Sequence, residues 1–140
     1  MKKLLLGLLT LAFIIAPITT LAASGVGQST INSYLKVVNN YASFRSNVVV
    51  RADAIDVAIP KVTNTKLNAK YVKMNAKLDQ LLTLGNTYNE QARTSLSKST
   101  VTSADIKSVK KSLKLAKKYI NKAYAQEKDL TKRLKNQKVL

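Results

Sequence analysis

The sequence predicts an all-α protein: an elongated, antiparallel, coiled-coil-like three-helix bundle preceded by a cleaved signal peptide. Three observations predict it. Apolar residues recur at alternating spacings of three and four along most of the chain beyond residue 28. Only 4 Gly and 2 Pro interrupt 140 residues, too few for the turns of an all-β chain. A short apolar run behind two lysines opens the chain, as in an export signal.

Residues 1–23 are the predicted signal peptide. Lys2 and Lys3 form the charged start, residues 4–16 the apolar stretch, and Pro17 ends it. Thr20, Leu21, Ala22 and Ala23 supply small residues for cleavage, so a mature chain starting near Ala23 or Ser24 is expected. The rival reading is an uncleaved N-terminal anchor, since residues 4–23 are just long enough to span a bilayer. Export places the protein in the periplasm or outside the cell. No Cys follows the apolar stretch, so no lipid-modified N-terminus is expected.

Residues 24–140 are read as one helical-bundle domain, with helices over about 29–59, 64–97 and 102–137. The first helix carries the stripe Ile31, Tyr34, Val38, Tyr41, Val48, Ala52, Ile55 and Ile59, interrupted by Arg45. Pro60 closes it, because the residue before proline is pushed out of the helical region.

The second helix follows a short connector and carries Leu67, Tyr71, Met74, Leu78, Leu81, Gly85, Tyr88 and Ala92. Gly85 allows two readings. Leu84-Gly85-Asn86 could cap one helix, with Thr87 to Glu90 boxing the start of another. The stripe nevertheless keeps its phase across Gly85, which favours one helix, bent or straight, with a neighbour approaching closely at the glycine.

The third helix starts at a capping box, Thr102 to Asp105. Its stripe is Ile106, Val109, Leu113, Ala116, Ile120, Ala123, Leu130 and Leu134, with Glu127 intruding. Arg45 and Glu127, each on a stripe, are expected to pair across the core. Connectors of about five residues make neighbouring helices antiparallel. Val48-Val49-Val50 and Leu81-Leu82 widen two stripes, which seals a bundle or leaves a face for self-association.

Charge and composition bound the function. The chain has 24 Lys+Arg against 7 Asp+Glu and no Cys or His. That excludes disulfides, the common zinc sites, the Cys nucleophile and the His-based triad. No phosphate-binding glycine loop or metal-ligand spacing is present, so no cofactor, metal, small-molecule substrate or catalysis is expected. Asp53 and Asp56, one turn apart, are the nearest thing to a catalytic carboxylate pair, and plain ion pairing with Arg51 serves them as well.

The basic residues concentrate in the last helix. Lys107, Lys110, Lys111, Lys114, Lys117, Lys118 and Lys122 fall within an arc of roughly 140° at about 100° per residue. No acidic residue lies between Ile106 and Gln126. The i,i+4 lysine pairs there are like charges, each destabilising the helix by about 0.2–0.5 kcal/mol. These seven lysines are the candidate polyanion-binding face. A genome-wide lysine bias, or a merely solvated face, gives the same pattern. Lysine is a point charge without the planar fork of arginine, so it suits a diffuse phosphate or carboxylate array. Tyr119 and Tyr124 lie among these lysines and either stack on bases or cover the bundle seam.

The expected function is therefore an exported, non-enzymatic bundle that binds an envelope polyanion, anionic lipid or extracellular nucleic acid. The alternative is an envelope protein-interaction module, chaperone-like or an oligomeric coiled coil, whose charge is incidental and whose partner is another protein or a second copy.

Overall fold

A computed structural model describes residues 25–140. The signal-peptide reading of residues 1–23 lies outside the described residues. Three long helices are present among these residues: α1 (Gln28–Ala58), α2 (Thr65–Leu96) and α3 (Ser103–Asn136), with one 3₁₀ turn (Ile59–Lys61) after α1. At about 1.5 Å per residue each helix is roughly 45–50 Å long. No strand occurs among the described residues.

The local chemistry explains each boundary. Pro60 sits at the start of the 3₁₀ turn and lacks the N–H that another α-turn would use. Asn68 ties the turn down by donating from Nδ2 to the Ile59 carbonyl at 2.8 Å. Asn64 caps α2: its Oδ1 accepts from the Leu67 N–H at 3.0 Å. At α3 the capping box is complete, as the sequence predicts. Thr102 Oγ1 accepts from the Asp105 N–H at 3.2 Å, and Asp105 Oδ2 accepts from the Thr102 N–H at 2.9 Å. Lys98 also donates to Asp105. The bond from Lys98, then those from Thr102, hold the Asp105 carboxyl down to about 2.

Cross-helix contacts set the topology. Asn75 Nδ2 donates to Asp56 Oδ1 at 2.6 Å, and Asn89 Nδ2 donates to the Val38 carbonyl at 3.0 Å. Numbers rise on α2 as they fall on α1, so the two are antiparallel. Between α2 and α3, Gln126 Nε2 donates to the Met74 carbonyl at 3.2 Å and Tyr88 stacks on Tyr119 with centroids 5.6 Å apart. That pair is antiparallel too, which leaves α1 parallel to α3. The α2–α3 interface is the most extensive of the three.

The core forms two apolar clusters along the bundle. One gathers Val48, Ala52, Ile55, Tyr71, Leu78, Leu82, Ala123, Leu130 and Leu134. The other gathers Ile31, Val38, Ala92, Leu96, Val101, Val109 and Leu113. Between them the α2 face carries Gly85 and the buried Asn89, and α1 carries Arg45. Asn75, Asn89 and Ser112 are buried off the predicted stripes, and Val101, between α2 and α3, is buried as well.

Gly85 stands inside an uninterrupted α2. A β-carbon placed on it would lie 2.7 Å from Cγ1 of Ile120 and 3.4 Å from the Ile120 backbone nitrogen. At the glycine α3 comes close to the α2 backbone, in line with the one-helix reading.

The expected Arg45–Glu127 pair does not form. Arg51 Nε lies 3.2 Å from Glu127 Oε2 instead, and Thr131 Oγ1 donates to Glu127 Oε1 at 3.0 Å. The parallel α1 and α3 place residue 51 level with residue 127. Arg45 lies six residues back, roughly 9 Å along the axis. It donates from Nε to the Leu82 carbonyl at 3.2 Å. Burial lowers the Arg45 pKa, and the charge of Glu90 acts the other way. Glu127 is only 3% exposed while Arg51 is 44% exposed, so the buried carboxylate reaches its counter-charge at the surface.

Candidate functional site

All seven lysines singled out from the sequence, Lys107, Lys110, Lys111, Lys114, Lys117, Lys118 and Lys122, are exposed on α3. The helix presents them because its other side is consumed by the core: Val109, Leu113, Ala116 and Ile120 are buried between them in sequence, and Ala123 just after the last. The ion pairs among the described residues draw on Arg51, Arg93, Lys98 and Arg133, and on none of these seven. Lys118 Nζ stands 5.9 Å from the centroid of the Tyr119 ring.

The two tyrosines among the lysines are engaged by the bundle itself. Tyr119 is stacked on Tyr88, nearly parallel at 6°. Tyr124 meets Phe44 edge-on at 5.4 Å, with Arg51 and Lys128 each 5.4 Å from its centroid. Both pack half-buried against the first apolar cluster. The face therefore offers charge rather than free aromatic platforms.

Asp56 accepts from Asn75, and the carboxylates of Asp53 and Asp56 sit on an exposed stretch of α1. No group of three or more His, Cys, Asp or Glu side chains able to hold a metal occurs among the described residues.

A second basic group was not singled out from the sequence. Lys66, Lys70, Lys73 and Lys77 line an open concavity on α2 together with Ala69 and Met74. Their spacing of four, three and four places them within about 60° of arc. That spacing is visible in the sequence, but the seven-lysine run of the last helix masks it.

Among the described residues no helix is long and apolar enough to cross a membrane. Three valines remain exposed: Val50 at 66%, Val57 at 64% and Val72 at 51%. No protein-family model matches the chain, and comparison with curated proteins and with solved structures finds no match.

Proposed function

We propose that the protein is an exported, non-enzymatic helical bundle that binds an anionic polymer or surface through the lysine face of α3. The observation that carries this reading is the set of seven exposed lysines on one face, none of them in an ion pair among the described residues. A helix that only needed solubility would gain by alternating Glu with Lys at i,i+4, whereas this face accepts repulsion at each such step. Binding draws its free energy from release of condensed counterions, so it is diffuse, fast and salt-dependent.

The test is binding to duplex DNA across a salt series. With about five lysines engaged, log K against log salt has a slope near −4 to −5, at roughly −0.9 per phosphate neutralised. Changing Lys107, Lys111, Lys114 and Lys118 together to Gln is expected to flatten the slope by about three to four units. A control with Lys36, Lys61, Lys135 and Lys138 changed to Gln lowers the net charge equally and should keep most of the slope. Equal loss in both variants would assign the effect to overall charge and remove the site.

The export part of the proposal rests on residues 1–23: two lysines, an apolar stretch, Pro17 and a small-residue end. Protein recovered from its host is expected to begin near Ala23 or Ser24 by intact mass. A retained Met1 in a membrane fraction would replace export with anchoring.

One observation favours the second reading, an envelope interaction module. Val50 and Val57 are exposed seven residues apart on the same side of α1. That reading requires an oligomer or complex that survives high salt in size-exclusion chromatography.

A further inference from the structure

The α2 lysines and the α3 lysines belong to one flank of the bundle. Met74 lines the concavity that holds Lys66, Lys70, Lys73 and Lys77, and its carbonyl accepts from Gln126 of α3 at 3.2 Å. The concavity therefore faces the α3 side of α2. Asn75, the next residue, reaches α1 through Asp56, which places α1 on the other flank.

On α3, Lys122 lies one turn after Tyr119 and one turn before Gln126. Both of those touch α2, Tyr119 through its stack on Tyr88. Lys122 thus stands on the α2-facing flank, and Lys118, Lys111 and Lys107 follow it within about 60° of arc. Lys110, Lys114 and Lys117 lean the other way.

The two stripes do not lie side by side. Antiparallel pairing sets residue 74 beside 126 and residue 88 beside 119. Lys77 accordingly lies near the level of residue 124, just past Lys122. The α3 stripe occupies one half of the bundle's length and the α2 stripe continues it through the other half. Where the α2 stripe runs, the α3 flank carries Asp129, which holds Arg133 at 3.0 Å in a pair of no net charge. Eight ammonium groups form a track about 40 Å long, summing the two stripes at about 1.5 Å per residue.

We infer that this track is the binding site for a single extended phosphate-polymer chain laid along the α2–α3 flank, with α2 supplying its second half. The inference rests on the polyanion reading above and adds to it the shape of the ligand. A linear phosphodiester matches a linear array of point charges. The aromatic rings on this flank are stacked on each other, so the backbone and not the bases is what the flank recognises. A nucleic acid strand and a glycerol-phosphate wall polymer share that chemistry.

The test uses the full mature chain and fluorescent oligo-dT of four, eight and twelve nucleotides. Eight contacts predict a salt slope near −5 to −6 for the longest strand, at about −0.7 per phosphate of a single strand. Changing Lys66, Lys70, Lys73 and Lys77 to Gln is expected to flatten that slope by about three units and to abolish the gain from four to twelve nucleotides. Gln has nearly the helix propensity of Lys and all four positions are exposed, so unchanged circular dichroism accompanies the loss. Glycerol-phosphate polymer and inorganic polyphosphate should both displace the strand. If the α2 variant behaves as the control of Lys36, Lys61, Lys135 and Lys138 does while the α3 variant loses binding, the track is wrong and the α3 face stands alone. If the wild type binds no polyanion in a salt-sensitive way, the proposed function itself fails. Displacement by nucleic acid alone would overturn backbone recognition.

Discussion

Leu78→Asp is expected to unfold the bundle. Leu78 is fully buried in the middle of α2, and Ile120, 1% exposed, lies in the middle of α3. An aspartate at either position places a carboxylate among apolar groups with no cation provided for it. Substitutions of this kind fall in the class that costs about 4–5 kcal/mol or more. A domain of this size has about 5–15 kcal/mol to lose in total. The helical signal in circular dichroism should collapse at 37 °C for Leu78→Asp and Ile120→Asp alike. Val57→Asp is the comparison, since Val57 is 64% exposed and a change there should stay within about 0.5 kcal/mol. Native-like helicity in both buried variants would mean that these stripes are not the core.

The second large effect runs against helix propensity. In an open helix, Gly→Ala stabilises by about 1 kcal/mol. At Gly85 the added methyl meets Ile120 Cγ1 at 2.7 Å. That atom is the near end of a β-branched side chain, which is stiff at χ1, and the Ile120 backbone stands close behind it. Overpacking of this kind costs about 1–3 kcal/mol, so Gly85→Ala should lower the melting temperature. Gly85→Leu should lower it much further. Ile120→Val does not relieve the clash, because valine keeps Cγ1. Ile120→Ala does, at its own cost of about 2–5 kcal/mol for the space it leaves. The double variant Gly85→Ala, Ile120→Ala should then be more stable than the two single losses added together, by about 1 kcal/mol or more. A Gly85→Ala protein that melts above wild type would show that α2 and α3 have room there.

Periodicity made the helices legible. A stripe alternating three and four determines which side of a helix is buried, and it kept its phase across Gly85 because α2 does not break there. The capping box at Thr102 was legible for the same reason, being local in sequence. What periodicity leaves open is how far one helix slides past the next. The Arg45–Glu127 expectation failed on that point: both residues lie on stripes, but the level of α1 against α3 brings Arg51 to the carboxylate. Asn75 and Asn89 were missed because a buried polar side chain has no periodic signal. Their burial depends on a carboxylate and a carbonyl supplied by another helix. The α3 lysines were legible as a run. The α2 lysines gain their meaning only from the antiparallel level that sets them end to end with the others.

The polar bonds from α2 to α1 have a consequence for how many structures this chain can choose among. A seam of Val, Leu and Ala repeating every seven residues looks nearly the same to its partner after a slide of one heptad, roughly 10 Å. The bond of Asn75 to the Asp56 carboxylate does not share that symmetry, because Val49 stands one heptad away on α1. Arg45 and Asn89 bond the backbone carbonyls of Leu82 and Val38, which recur at every residue. A one-heptad slip would leave apolar contacts largely replaced, yet take the buried Asn75 amide away from its carboxylate, at a cost of about 1–3 kcal/mol. That cost is a noticeable fraction of the about 5–15 kcal/mol that holds a small domain together. Asn75 thus acts as a tooth on an otherwise smooth rail: it adds little to the depth of the correct alignment and makes the neighbouring alignments shallower.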